Sequence, residues 1–274
     1  MVLRCGRFSL PLGRPLVMGV LNVTPDSFSD GGTFLDRGAA AARARRMAEE
    51  GADIIDIGGE STRPGAAPVS VDEELDRILP VLRDLGNLEV PVSVDTRRPR
   101  VMREAVAAGA SMINDVQALA APGALEAVAQ SGCAVCLMHM KGEPRTMQQD
   151  PQYGDVVDEV KEFLSDRISR AEKAGIARER IVVDPGFGFG KALAHNLQLL
   201  ARLGELAALG VPVLAGLSRK SMLGAITGRA AGDRLAASVA AALLAAERGA
   251  TILRVHDVNE TKDALAVWQA LRGA

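Results

Sequence analysis

The chain has 274 residues, 48% hydrophobic and 24% charged, which fits a globular protein with a full core and room for one large α/β domain or two ordinary ones. A formal net charge of -2 provides no field to draw the molecule onto nucleic acid or an anionic membrane, so any anionic ligand must be gripped by a few local cations, as in a small-molecule site. The opening Met1-Val2-Leu3-Arg4-Cys5-Gly6-Arg7 has no apolar stretch of signal-peptide length and no segment is apolar for long enough to span a bilayer, so a cytoplasmic location is expected.

In chain order, residues 2–13 read as a small hairpin capping the lower end of the fold. Short β-branched runs then alternate with segments rich in Ala, Leu, Arg and Glu. Strands are expected at 16–21, 52–58, 91–95, 111–114, 134–138, 181–184, 213–217 and 251–255. Helices are expected between them, among others at 36–50, 71–85, 99–108, 156–174 and 234–248. Gly51, Gly109, Gly210 and Gly249 each stand just ahead of a strand, where glycine supplies the left-handed turn that stops a helix. Eight strands alternating with helices imply an all-parallel sheet, and eight is the number that closes into a barrel. The expected fold is therefore α/β, a (β/α)8 TIM barrel with a short N-terminal β-hairpin, in one domain over residues 1–274. An open doubly wound sheet is the alternative.

The polar residues favour the barrel, because every strand runs into them at its carboxyl end. The first ends at Asn22, the second at Glu60-Ser61-Thr62-Arg63, the third at Asp95 and the fourth at Asn114-Asp115. The fifth ends at His139, the sixth at Asp184 and the seventh at Ser218-Arg219-Lys220-Ser221, while the eighth carries Arg254-Val255-His256-Asp257. In a barrel these ends converge on the rim where active sites are built. Singly, such residues are turn formers or helix caps. Cys5, Cys133 and Cys136 are too few for a disulfide framework, and the 133/136 pair, three apart on a strand, points to opposite faces; buried thiols are expected.

Arg254 and His256, two apart on a strand, share a face and together suit a diphosphate, although pairing of Arg254 with a neighbouring aspartate is an equal reading. Asp95, Asn114 and Asp184 combine acceptor-only carboxylates with an amide, a set able to read a flat heterocycle edged with N–H groups, with Lys220 as donor to a ring carbonyl. A structural ion-pair network is the alternative. Residues 184–191 carry two phenylalanines but fit neither the Walker nor the dinucleotide glycine pattern; one ring would pack on a flat substrate. The loops after the first two strands are long for such connections and rich in Gly, Pro and Ser.

These stretches together resemble the dihydropteroate synthase family over nearly the full length. The resemblance rests on Met18-Gly19-Val20-Leu21-Asn22-Val23-Thr24-Pro25-Asp26-Ser27-Phe28-Ser29-Asp30-Gly31-Gly32, Asp56-Ile57-Gly58-Gly59-Glu60-Ser61-Thr62-Arg63-Pro64-Gly65, Ser93-Val94-Asp95-Thr96, Ile113-Asn114-Asp115, Met138-His139-Met140, Asp184-Pro185-Gly186-Phe187-Gly188-Phe189-Gly190-Lys191, Gly216-Leu217-Ser218-Arg219-Lys220-Ser221 and Arg254-Val255-His256-Asp257. It implies condensation of a dihydropterin-methyl diphosphate with 4-aminobenzoate in folate biosynthesis. It implies Asn22 as ligand of a Mg²⁺ cofactor. Asp95, Asn114, Asp184, Lys220 and Arg254 would bind the pterin, with Asn22, Arg254 and His256 on the diphosphate. Ser61, Thr62, Arg63, Pro64, Phe189, Lys220 and Ser221 would form the aminobenzoate subsite that sulfonamides mimic. Asp95, Lys220, Arg254 and His256 would carry the catalytic work, in a homodimer built through late barrel helices. The alternative enzyme is a pterin-binding methyltransferase-type barrel, which needs no diphosphate clamp. A non-catalytic pterin- or phosphate-binding barrel is a further class of reading.

Overall fold

Val2–Cys5 (β1) and Phe8–Pro11 (β2) pair antiparallel, with Cys5 opposite Phe8 across a two-residue turn. The computed structural model describes residues 1–24, 37–60, 69–142 and 146–273. Ser61, Thr62, Arg63 and Pro64 lie outside the described residues, as does most of the loop after the first barrel strand.

Eight further strands make the barrel: Leu16–Asn22 (β3), Ile54–Gly58 (β4), Val92–Asp95 (β5), Met112–Asp115 (β6), Ala134–Met138 (β7), Ile181–Asp184 (β8), Leu214–Ala215 (β9) and Ile252–Val255 (β10). All neighbours run parallel, in the order β8-β7-β6-β5-β4-β3-β10-β9. The ring closes between β8 and the approach to β9, where Val183 bridges Val213 and its N–H reaches Pro212 O at 2.9 Å. The seventh barrel strand is shorter than the 213–217 expected. Val213 is instead engaged by Thr251, whose Oγ1 accepts its N–H at 2.9 Å while its N–H donates to Val213 O at 2.8 Å.

The helices are Arg37–Glu49 (α1), Val71–Asp84 (α2), Pro99–Ala107 (α3), Ala124–Ala129 (α4), Val156–Lys173 (α5), Leu193–Ala201 (α6), Ser221–Thr227 (α7), Leu235–Glu247 (α8) and Val258–Arg272 (α9). Among the described residues none is long and apolar enough to cross a membrane. Local signals set their ends. Ser70 and Glu73 form a reciprocal capping box at the start of α2, satisfying donors that a helix N-terminus leaves unpaired. Gly51, Gly109, Gly210 and Gly249 all adopt positive φ, as expected of stop signals.

Two apolar layers hold the barrel together. The outer one joins strands to helices through residues such as Ile55, Ile57, Val94, Ile113, Leu137 and Val183. The inner one fills the lower barrel with Leu16, Met18, Ile54, Met112, Val182, Leu214 and Ile252, and Leu3 and Cys5 of the hairpin plug it from below. Cys136 faces this inner layer, whereas Cys133 donates its thiol to Ala110 O; all three cysteines are free and buried. With the bottom filled, the barrel interior is left to a ligand at the carboxyl ends of the strands.

Candidate active site

Strand register places the polar ends at matching heights. Asn22 pairs with Gly58, Gly58 with Asp95, and Asp95 with Asn114. Gly58 leaves space between its neighbours: a Cβ there would sit 3.7 Å from Asp95 Cβ and 3.8 Å from Asn22 Oδ1. Side chains two apart on a strand share a face. Because Met18, Ile54, Met112, Val182 and Ile252 face the barrel interior, so do Asn22, Asp56, Asn114, Asp184 and Arg254, higher along the same strands.

Arg254 starts low, its Cα level with Met18, and only a side chain of its length spans the gap to the mouth. Its Nε donates to Asp56 Oδ2 at 2.6 Å and its Nη2 to Asp95 Oδ2 at 2.9 Å. Burial pulls the guanidinium pKa down, but Asp56 and Asp95 more than reverse this and hold it above its ordinary value. Burial raises Asp95 to about 7, with Arg254 opposing and the charges of Asp56 and Asp115 adding to the rise. Asp56, fully buried, also accepts Asn114 Nδ2 at 3.1 Å. A carboxylate accepts only, so Asn114 must turn its amide nitrogen towards Asp56, which leaves its carbonyl oxygen as the acceptor offered elsewhere. Among the described residues Asp56 Oδ1 has no hydrogen-bond partner.

Asp56 opens one of the stretches that carry the family resemblance, but sequence reasoning alone assigned it no role. The available signal was an acid inside the apolar run Ile54-Ile55-Asp56-Ile57, where an unpaired charge is costly enough to demand a partner.

The opposite wall holds Asp184 and Lys220. Asp184 is 5% exposed and accepts the Gly186 N–H at 2.7 Å. Burial raises its pKa, opposed first by the Lys220 charge. Lys220 precedes α7, donates to Phe187 O, and places Nζ 4.7 Å from the Phe189 ring centroid. Burial lowers its pKa to about 8, with Asp184 resisting. Gly216 lies between the two cations: a Cβ there would be in ordinary contact with both, 3.9 Å from Lys220 Nζ and 4.0 Å from Arg254 Cδ.

The other expected residues are placed differently. His256 lies just beyond β10, its Nδ1 3.0 Å from Ser218 Oγ, which also accepts the His256 N–H at 3.3 Å. Arg254 and His256 therefore have separate partners, the arginine on two carboxylates and the histidine on a hydroxyl. Ser221 is exposed at the first position of α7. Asp115 belongs to the turn: it accepts the N–H groups of Gln117 and Leu119, both at 2.8 Å. His195 caps α6 by accepting the Ala192 N–H at 3.2 Å.

His139 is turned away from the mouth. It meets the Phe163 ring edge-on with centroids 5.0 Å apart, and burial plus the Lys191 charge lower its pKa to about 3. An unfolded histidine titrates near 6.5, so between pH 6.5 and 3 the unfolded chain binds a proton that the folded chain refuses. Stability is therefore lost as the pH falls through this window, by about 2 kcal/mol at pH 5 from this group. His139→Gln is expected to remove that slope in urea unfolding at pH 7 and pH 5. An unchanged slope would mean that the ring is not held neutral by the fold.

Among the described residues no group of three or more His, Cys, Asp or Glu could hold a metal. Asn22, half-buried at the end of β3, offers one hard amide oxygen to the same mouth. That fits magnesium, which takes few protein ligands and completes its shell with water and substrate phosphate oxygens, and does not fit zinc.

The class of protein is defined by this barrel and its mouth: the pterin binding enzyme family matches residues 18–256. The dihydropteroate synthase of Escherichia coli (strain K12) is 54% identical over 267 residues, covering 97% of this chain and 95% of the relative. Among solved structures, Xanthomonas albilineans dihydropteroate synthase with 4-aminobenzoic acid superposes with a TM-score of 0.94 at 59% identity, covering 100% of this chain and 98% of the other. The same enzyme in complex with 7,8-dihydropteroate gives a TM-score of 0.92 at 56% identity, covering 100% of both chains. The chain belongs to the dihydropteroate synthase family.

Proposed function

We infer that this chain is a transferase that joins 7,8-dihydropterin-6-ylmethyl diphosphate to 4-aminobenzoate, giving 7,8-dihydropteroate and diphosphate in folate biosynthesis. The observation that carries this reading is the convergence of Asp95, Asn114 and Asp184 with Arg254 and Lys220 on one mouth. Two carboxylates and an outward amide carbonyl are acceptors matched to the N–H groups of a pterin edge, and Lys220 donates to the ring carbonyl. The neighbours solved with 4-aminobenzoic acid and with 7,8-dihydropteroate support the same substrates.

In the reaction the bond from the exocyclic methylene to oxygen breaks and its electron pair leaves with diphosphate. The lone pair of the arylamine nitrogen forms the new C–N bond, and the amine proton passes to diphosphate or water. Arg254 uses two N–H groups on Asp56 and Asp95, and a guanidinium has five, so it can also bind the departing diphosphate, with His256 beside it. Asp95 opposes the positive charge that develops on the pterin methylene. Asn22 would hold Mg²⁺, which offsets phosphate charge when bound. Phe189, Lys220 and Ser221, with Ser61, Thr62, Arg63 and Pro64 from outside the described residues, would take 4-aminobenzoate and the sulfonamides that resemble it. Exposed Ile226, Leu235 and Leu244 on α7 and α8 support a homodimer through these late helices, and the enzyme would work in the cytoplasm.

The test is to incubate the purified protein with both substrates, with Mg²⁺ or with chelator, and follow dihydropteroate by chromatography. Magnesium-dependent product is expected. Pterin binding without product would favour the methyltransferase-type or non-catalytic barrel.

A further inference from the structure

We propose that Lys191 is a positioning residue, whose buried side chain cross-links the loop after β8 to the chain leaving β7 and thereby aims Lys220. The link from Lys220 to the aminobenzoate subsite rests on the function proposed above; the effect on Lys220 itself does not.

Lys191 is 2% exposed, and its Nζ lies 2.9 Å from His139 Nδ1, 2.9 Å from Gly186 O, 3.0 Å from Phe189 O and 3.3 Å from His139 O. Four acceptors surround three N–H groups, and none of the four is a carboxylate. Burial lowers the Lys191 pKa to about 7 with Asp184 resisting, but three carbonyls call for three N–H groups, which only the ammonium supplies, so in that form the side chain is a fastener between backbone segments. The segments it joins touch without space for side chains. Gly186 and Gly190 take positive φ of 68° and 64°, and a Cβ on either would overlap the carbonyl oxygen of His139 or of Lys141. Asn196 completes the fastening, accepting the Gly188 N–H at 2.7 Å and donating to Lys191 O at 3.0 Å.

The outer side of this loop presents two groups, the Phe187 carbonyl and the Phe189 ring, and both engage Lys220. At its start is Asp184, whose carboxylate is fixed to the Gly186 N–H while Lys191 holds the Gly186 carbonyl. The same peptide turn therefore ties a pterin-facing acid to the buried ammonium. Without Lys191, the Phe187 carbonyl and Phe189 ring lose their fixed places, water reaches Lys220, and its ammonium becomes easier to keep.

The test compares Lys191→Met with Arg180→Met. Arg180 is also a cation in a cradle of backbone carbonyls, those of Cys133, Ala129 and Val128, at the opposite end of the barrel. It serves as the control for loss of stability alone. Lys220 is titrated in the whole protein by ¹³C NMR of its Cε, assigned with Lys220→Met. In Lys191→Met its midpoint should rise by at least half a pH unit and the KM for 4-aminobenzoate by about tenfold. In Arg180→Met both should remain at the wild-type value despite a comparable fall in Tm. An unmoved Lys220 midpoint in Lys191→Met, or equal shifts in both variants, would overturn the proposal. The NMR arm needs no turnover, so an inactive wild type would count against the proposed reaction and leave the Lys191 result readable.

Discussion

Asp184→Asn should weaken binding of the pterin diphosphate by about a hundredfold or more, roughly 3 kcal/mol, the size expected when charge-assisted bonds are lost and a donor is set against a donor. Asp184 is almost completely buried, fixed at one end of its carboxylate by the Gly186 N–H, and close enough to Lys220 for the two charges to be felt. An asparagine keeps the volume and the bond to Gly186 but offers an N–H where the N–H-bearing edge of the pterin needs an acceptor. Calorimetry with the pterin diphosphate alone isolates this effect from the arylamine. Affinity within threefold of wild type would remove Asp184 from the pterin-reading set.

Asp56→Asn should be nearly as damaging, although Asp56 is fully buried beneath the mouth. It carries two bonds at once, to Arg254 Nε and to Asn114 Nδ2. Both bonds go to Oδ2, so an amide oxygen in that place can keep them, but the negative charge facing Arg254 is lost and an amide nitrogen takes the buried place of Oδ1. Removing one member of a buried ion pair costs about 3–5 kcal/mol; because Arg254 retains Asp95, a stability loss at or below the lower end is expected. The larger consequence is kinetic, a fall in kcat/KM of about a hundredfold, because Arg254 keeps only one of the two carboxylates that aim its guanidinium.

The pH dependence supplies a separate signature. The Asp56 charge is one of the influences that raise Asp95 towards 7, after burial. Removing it should lower the Asp95 pKa and move the acid limb of kcat/KM to lower pH, even as the plateau falls. An acid limb that stayed in place or moved up would show that Asp56 does not act on Asp95.

Much of this site was legible because a parallel barrel turns strand ends into neighbours. Asp95 and Asn114, nineteen positions apart in sequence, are paired in register on adjacent strands, and the alternation of strand and helix was enough to expect both on one rim. Register and side-chain reach were not legible. The Cα of Arg254 lies level with Met18, so its partners are set by the length of its side chain and the tilt of the strands, neither of which has a sequence pattern. Asp56 was left without a role for the related reason that its significance depends on what stands across the barrel. His139 shows the opposite error. It comes just after β7, where the site residues of other strands stand, but a T-shaped contact with Phe163 and the proximity of Lys191 hold it in the wall of the barrel. The expected strand 213–217 is observed at Leu214–Ala215, with Val213 kept as an isolated bridge to Val183 and bonded to Thr251.

The closure between β8 and β9 has a bearing on what a ligand does to the whole molecule. Among the described residues the hoop of strands is joined there by a single bridge, Val183 to Val213, next to a strand of two residues, so it is the seam with the fewest bonds to break. Asp184 stands immediately on one side of that seam and Lys220 beyond the other. A pterin gripped by both, as proposed, would be a rivet across the thinnest part of the hoop, so that the act of binding would also tighten the ring that does the binding.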